Sequence, residues 1–106
     1  MEAACRGAKM AGGLTVGILP GADRSEANPF VDVALPTGLG EARNALVVRA
    51  VDALVAVAGE YGTLSEIALA LKTGKPVVGL DTWDIDGVIV ASSPADAVSR
   101  ALELAK

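Results

Sequence analysis

The fold is decided by the stretch from Ala53 to Pro76, which reads ALVAVAGEYGTLSEIALALKTGKP. An apolar run ends at Gly59, and Gly62 closes a short loop after it. Thr63 then offers a hydroxyl at a helix start, and Glu66 follows three residues later, which is the pattern of a capping box. A strand, a glycine loop and a helix N-terminus in this order present backbone N–H groups to an anion.

Short apolar runs alternate with helical segments along the rest of the chain. The pattern predicts strands at 14–19, 31–35, 54–57, 77–80 and 88–91, and helices at 1–11, 41–52, 63–73 and 94–105. Because the strands are uniformly apolar rather than alternating, both faces of the sheet are expected to be covered. This predicts an α/β fold, a Rossmann-like parallel sheet flanked by helices, in a single domain over residues 1–106. Ligands of such sheets bind at the carboxyl ends of the strands.

Composition excludes several classes of function. The net charge is −4 and the 9 basic residues are scattered, which argues against a nucleic-acid partner. No apolar run reaches the roughly 18 residues of a membrane span, so no membrane partner is expected. The chain has no histidine and one cysteine, Cys5, so we predict no metal site and no resident cofactor. A lone cysteine and the lack of a signal peptide fit a cytoplasmic protein.

The glycine loop has two interpretations that the residues alone leave open. It is either a phosphate-binding loop, with the amides of Gly62, Thr63 and Leu64 directed at an anion, or an ordinary βα turn. Glu66 has two interpretations as well. It either completes the capping box with Thr63 or places a carboxylate at the mouth of a site, where the helix N-terminus keeps it ionised.

Arg43 is the basic residue whose position is least easily explained by the fold. It lies near the start of a predicted helix, where the helix dipole disfavours a cation by roughly 0.3–1 kcal/mol. A bound anion or the neighbouring Glu41 would offset that cost. Trp83 is the only tryptophan, and it either stacks on the base of a ligand or packs against the protein.

Residues 59–66 resemble the Pro-Gly-Gly-x-Gly-Thr-x-x-Glu signature of the LOG (lonely guy) proteins, formerly described as lysine decarboxylases. Residues 18–29 and 40–44 look like a branch of this SLOG superfamily that is related to the molybdenum cofactor carrier proteins. The similarity covers essentially the whole chain. It implies a nucleoside 5′-monophosphate as ligand, held at its phosphate by five residues: Gly21, Gly59, Gly62, Thr63 and Leu64.

The resemblance also implies two alternative activities. In the LOG enzymes, the residues that match Arg43 and Glu66 are the catalytic pair of a phosphoribohydrolase, which cleaves the N-glycosidic bond to release a free base and ribose 5-phosphate. The alternative is a non-catalytic binding or carrier module for a nucleotide or the pterin of the molybdenum cofactor. A third possibility is a fragment with neither activity.

The sequence departs from the family pattern in two ways. Ala58 and Glu60 replace the proline and the second glycine of the signature. Relatives of this kind also carry two further strands and a glycine-rich loop before the position of Met1, so the chain is expected to be N-terminally truncated. Exposed sheet edges would follow, and these are expected to favour a homo-oligomer.

Overall fold

A computed structural model describes residues 1–105 of the chain. In that range the elements are α1 (Glu2–Met10), β1 (Val16–Leu19), β2 (Val33–Pro36), α2 (Arg43–Ala50), β3 (Leu54–Val57), α3 (Tyr61–Lys72), β4 (Val77–Leu80), β5 (Ile89–Val90) and α4 (Pro94–Leu104). Short 3₁₀ turns lie at Arg24–Glu26 and Gly40–Ala42. The chain divides into two compact units, one formed by residues 1–43 and one that begins at Asn44.

The first unit contains α1 and a two-stranded parallel sheet. Val16 on β1 is opposite Val33 on β2, and the register runs on to Leu19 opposite Pro36. The sheet is only partly covered, since Val16 is 50% and Val33 41% exposed. No side chain of helix α1 is fully buried, so this helix contributes little hydrophobic stabilisation to the unit.

Polar contacts around Asp32 tie α1 to the sheet of the first unit. The N–H of Thr15 donates to Asp32 Oδ2 at 2.9 Å, and the N–H of Asp32 donates back to Thr15 Oγ1 at 2.8 Å. Lys9 Nζ lies 2.8 Å from Asp32 Oδ1. The hydrogen bond from Lys9, followed by that from the Thr15 amide, lowers the pKa of Asp32 below its usual range.

The second unit is built on a three-stranded parallel sheet in the order β3-β4-β5. Leu54 on β3 is opposite Val77 on β4, and Val78 on β4 is opposite Ile89 on β5. The segment β3–α3–β4 is therefore a βαβ unit. The core consists of small and branched apolar side chains packed between the sheet and helices α2 to α4, namely Val48, Leu54, Ala56, Ile67, Ala70 and Val77, with Val78, Ala91 and Ala97 in a second cluster.

Helix α3 ends in a Schellman motif. Gly74 has a φ of 77°, a left-handed conformation that glycine adopts without strain. Its N–H donates to the Leu71 carbonyl at 3.2 Å, and the N–H of Lys75 donates to the Ala70 carbonyl at 2.9 Å. The helix ends at Lys72, with Thr73 as its C-cap, next to the predicted limit at residue 73.

Helix α4 begins at residue 94, as predicted, with Ser93 as N-cap and Pro94 at the first helical position. Ser93 Oγ accepts from the N–H of Asp96 at 3.0 Å. The Asp96 carboxylate accepts from the Ser92 amide and from Arg100, and these bonds lower its pKa, the amide having the larger effect.

The predicted α/β class, with parallel strands flanked by helices, is confirmed. Strands β3 and β4 have their predicted bounds, and the other elements differ from prediction by a few residues at their ends. The strands form two sheets rather than one. No helix in residues 1–105 is long and apolar enough to cross a membrane.

The prediction that both faces of every strand are covered is wrong. Only β4 is buried along most of its length. Strand β3 alternates between buried and exposed positions, and Val55 and Val57 are 37% and 55% exposed. An apolar run shows that both faces of a strand can be buried. Whether they are buried depends on the elements that pack against each face.

Candidate functional site

The loop between β3 and α3 follows directly from the carboxyl end of a strand. Ala58 has a φ of 67°, in the left-handed region that non-glycine residues seldom adopt. Glu60 is extended, with φ −83° and ψ 163°, and is the N-cap of α3. The chain therefore turns sharply at Ala58 and enters the helix at Tyr61.

The segment after β4 holds this loop in place. Thr82 Oγ1 donates to the carbonyl of Ala58, and Trp83 Nε1 donates to the carbonyl of Glu60 at 3.1 Å. The rings of Tyr61 and Trp83 stack with centroids 6.0 Å apart and planes inclined by 28°. Sequence reasoning left Trp83 open between ligand stacking and protein packing. The structure shows protein contacts, while stacking on a ligand stays a prediction.

Gly59 and Gly62 have open space beside them. A Cβ built on either residue would meet no atom within 4 Å, and neither residue has a positive φ. Both are exposed. The fold thus makes no steric or conformational demand for glycine at these two positions, and the backbone there is open to close approach from outside.

The capping-box prediction for Thr63 and Glu66 is wrong. Helix α3 begins at Tyr61, two residues earlier than predicted, so Thr63 is its third residue and Glu66 its sixth. The N-cap is Glu60, and its side chain makes no capping bond. The stack of Tyr61 on Trp83 and the bond from Trp83 to Glu60 explain the earlier start, because both fix residues that precede Thr63.

The first turn of α3 determines which amides face outward. In an α-helix the first N–H groups have no acceptor within the helix. Here these belong to Tyr61, Gly62 and Thr63. The N–H of Leu64 donates to the Glu60 carbonyl at 3.1 Å, so it belongs to the helix ladder. The free donors are therefore shifted one residue towards the N-terminus from those that the sequence predicts.

Gly21 and Arg43 belong to the first unit. The Gly21 carbonyl accepts from the N–H of Gly38 at 2.8 Å, and the Glu26 carboxylate occupies the space that a Cβ on Gly21 would take. A carboxylate in that position disfavours an anion beside Gly21. Arg43 is half-buried, and its Nη1 donates to the Ile18 carbonyl at 2.6 Å.

The seven predicted site residues fall into two groups. Those of the second unit lie together on the β3–α3 loop and the first two turns of α3, namely Gly59, Gly62, Thr63, Leu64 and Glu66, and Gly21 and Arg43 lie in the first unit. Glu66 is half-buried. The roles of all seven residues stay predictions.

Sequence reasoning missed two polar residues. Asn44 is only 5% exposed, a rare degree of burial for this side chain. Thr82 holds the loop at Ala58. Asn44 directly follows Arg43 in the stretch that resembles the family. This position is the feature of the sequence that could have identified it. Thr82 could not have been found, because its partner is 24 residues away in sequence.

Comparison with known structures finds that the chain is similar to a molybdenum cofactor binding protein and to a molybdenum cofactor carrier protein. It superposes on the molybdenum cofactor binding protein of Rippkaea orientalis with a TM-score of 0.87 and 40% identity, covering 100% of this chain and 71% of that one. It superposes on the molybdenum cofactor carrier protein of Chlamydomonas reinhardtii with a TM-score of 0.82 and 41% identity, covering 95% and 68% of the two chains.

Sequence comparison agrees with the structural result. An uncharacterized protein of Archaeoglobus fulgidus is 47% identical over 100 residues, which are 93% of this chain and 66% of that protein. The chain thus spans about two thirds of the length of these relatives. The family model described as SLOG cluster4 matches residues 1–104. The chain therefore belongs to the SLOG cluster4 family.

Proposed function

We propose that the chain is a non-catalytic binding or carrier module for a small phosphorylated ligand, either a nucleotide or a pterin of the molybdenum cofactor type. The names of two structural relatives, a molybdenum cofactor binding protein and a molybdenum cofactor carrier protein, support this proposal.

The open backbone at Gly59 and Gly62 is the observation that carries the proposal. Neither position needs glycine for the fold. A glycine inside a helix costs about 0.5–1 kcal/mol relative to alanine, and Gly62 is the second residue of α3. Close approach of a ligand to the backbone explains glycine at both positions.

The start of α3 supplies the chemistry for an anion. The N–H groups of Tyr61, Gly62 and Thr63 come together with the positive end of the dipole of a 12-residue helix. A phosphate bound there accepts these hydrogen bonds. These donors differ from the ones that the sequence predicts, because the amide of Tyr61 takes the place of the amide of Leu64. The Leu64 amide already donates to the Glu60 carbonyl.

Phosphoribohydrolase activity is the enzymatic alternative to a binding or carrier role. It requires Arg43 and Glu66 to act on one nucleotide, as the resemblance implies. The bond from Arg43 Nη1 to the Ile18 carbonyl gives this side chain a structural role of its own. We therefore assign Arg43 to the fold of the first unit and keep hydrolysis as an outcome of the experiment.

Titration calorimetry followed by mass analysis separates the two functions. The full chain is titrated with guanosine and adenosine 5′-monophosphates and with inorganic phosphate, and each sample is then analysed for free base. The proposal expects saturable binding, competition by phosphate and recovery of intact nucleotide. Free base that is formed by the wild type and not by Glu66→Gln would establish the hydrolase instead. A chain without cooperative thermal unfolding and without binding would contradict both functions.

A further inference from the structure

Ala58, directly after β3, has a backbone conformation that alanine rarely adopts. Its φ of 67° lies in the left-handed region, which only Ala58 and Asp81 share among the non-glycine residues from 1 to 105. The signature of the LOG proteins has a proline at this position, and proline cannot adopt a positive φ. The conformation is therefore a property of this chain rather than of the signature. A residue under backbone strain keeps its conformation only where the surrounding contacts impose it.

Two contacts with the end of β4 impose this conformation. The N–H of Ala58 donates to the Leu80 carbonyl at 3.3 Å, and Thr82 Oγ1 donates to the Ala58 carbonyl. The Thr82 side chain is itself confined, since a Cβ built on Gly79 would lie 2.7 Å from Thr82 Cγ2. Thr82 thus fixes the direction of the peptide group between Ala58 and Gly59.

The orientation of that peptide group determines where the Gly59 amide points. A peptide bond is planar and trans, so the N–H of Gly59 points away from the Ala58 carbonyl and hence away from Thr82. This N–H has no acceptor within residues 1–105. Gly59 is exposed, and a Cβ built on it would meet no atom within 4 Å. The Gly59 amide is therefore a donor that a ligand can reach.

We infer that Thr82 is a positioning residue for the phosphate: by holding Ala58 in the left-handed conformation, it presents the Gly59 amide to the ligand as a fourth donor. The other three donors are the N–H groups of residues 61–63, and Gly59 lies two residues before the first of them. A phosphate has three strongly accepting oxygens, so it can accept all four hydrogen bonds. The inference rests on the proposed function, since it adds a donor to the phosphate site proposed there.

The bond from Thr82 matters for affinity because it orders the loop before the ligand arrives. Without it, Ala58 would relax to a negative φ, and the peptide group that carries the Gly59 amide would turn with it. A ligand would then have to restore the left-handed conformation out of its own binding free energy. Removing the Thr82 hydroxyl should therefore weaken phosphate binding through Gly59 alone.

Phosphate titrations of the full chain test the inference with Thr82→Val and Thr82→Ser. Valine has nearly the shape of threonine without the hydroxyl, whereas serine keeps the hydroxyl. In ¹H–¹⁵N spectra of the wild type and of Thr82→Ser, the Gly59 amide should shift saturably together with those of residues 61–63. In Thr82→Val the Gly59 shift should be lost while the other three remain. Calorimetry should then find inorganic phosphate bound about tenfold more weakly, the effect of losing one hydrogen bond to a charged group.

Thr73→Val is the matched control. The Thr73 hydroxyl also donates to a backbone carbonyl, that of Leu69 at 2.8 Å, but at the opposite end of α3. This variant should keep the wild-type affinity and all four shifts. Ala58→Pro is an independent route to the loss of the Gly59 shift, because proline cannot adopt a φ of 67°. It keeps the inference testable if Thr82→Val does not fold, which urea denaturation would show.

The same titrations can contradict the inference. A Gly59 amide that stays unmoved in the wild type, or that still shifts in Thr82→Val or Ala58→Pro, would show that Thr82 does not present it to the phosphate. Equal loss of all four shifts in Thr82→Val would show that Thr82 only maintains the fold. If the amides of residues 61–63 respond to phosphate in the wild type in these cases, the proposed function stands without the inference. No saturable shift of any amide in the wild type would overturn both.

Discussion

Trp83 Nε1 donates to the carbonyl of Glu60 at 3.1 Å, across 23 residues of sequence. The acceptor belongs to the N-cap residue of α3, and the same carbonyl accepts from the N–H of Leu64 at 3.1 Å. One oxygen therefore fixes both the first helical turn and the segment that follows β4. The start of the helix, where we place the phosphate, depends on a side chain that no local pattern connects with it.

Trp83→Phe should loosen the start of α3. Phenylalanine keeps an aromatic ring near Tyr61 but has no N–H to donate to Glu60. We expect a loss of about 1 kcal/mol in the free energy of unfolding, measured by urea denaturation, and weaker nucleotide binding in calorimetry. Tyr61→Phe is the matched control, since it keeps the stacked ring, and it should leave stability unchanged. Wild-type stability and affinity in Trp83→Phe would show that the bond does not order the loop.

Gly62→Ala should separate stability from binding. Alanine fits the helical backbone at this position and meets no atom within 4 Å, so unfolding should become harder by up to about 1 kcal/mol. Nucleotide binding should weaken, because the added methyl group stands where the phosphate approaches. Gly74→Ala is the contrasting variant. It must adopt a φ of 77° and should destabilise the chain without affecting binding. A Gly62→Ala protein that binds as tightly as wild type would contradict the assignment of the loop.

Gly79→Ala should destabilise the second unit. Its Cβ would lie 2.7 Å from Thr82 Cγ2 and 2.8 Å from Val88 Cγ1, both closer than van der Waals contact allows. Overpacking of this kind costs about 1–3 kcal/mol, and thermal or urea unfolding would measure it. Gly7→Ala should be neutral or stabilising, since open space surrounds Gly7 in α1. Equal stability of Gly79→Ala and wild type would show that Thr82 and Val88 are able to move away.

Asp32→Asn should alter the pH dependence of stability. The pKa of Asp32 is lowered by the hydrogen bond from Lys9 and then by that from the Thr15 amide. A depressed pKa contributes stability above the ordinary pKa of aspartate, and this stability is lost as the pH falls through the folded value. The variant should be less stable than wild type at neutral pH, and the difference should shrink in acid. Urea denaturation at several pH values measures both curves.

The control for that experiment is Asp86→Asn, which removes one negative charge from an exposed loop. It should follow the wild-type curve throughout. A constant difference between Asp32→Asn and wild type from neutral to acid pH would contradict the assignment of the stabilisation to the ionised carboxylate.

The sequence predicts well those elements whose limits are determined locally. Gly74 ends α3 because only a left-handed residue closes the Schellman motif, and Ser93 begins α4 because its hydroxyl satisfies the Asp96 amide. Strand β3 ends at Val57, two residues before Gly59, where the apolar run of the sequence ends. These signals lie within a few residues of the element that they terminate.

Prediction failed where distant residues decide the structure. The start of α3 lies at Tyr61 because Trp83 fixes Glu60 and stacks on Tyr61, whereas the spacing of Thr63 and Glu66 indicated a later start. The same tertiary contact changes the candidate site. It moves the free amides to residues 61–63.

Amide chemical shifts in a phosphate titration test the central claim most directly. In ¹H–¹⁵N spectra of the full chain, the N–H groups of Tyr61, Gly62 and Thr63 should shift together and saturably as inorganic phosphate is added. The amide of Leu64 should shift less, because it already donates to Glu60. Saturable shifts that leave these three amides unmoved, or no saturable shift at all, would contradict the claim that the start of α3 binds the phosphate of the ligand.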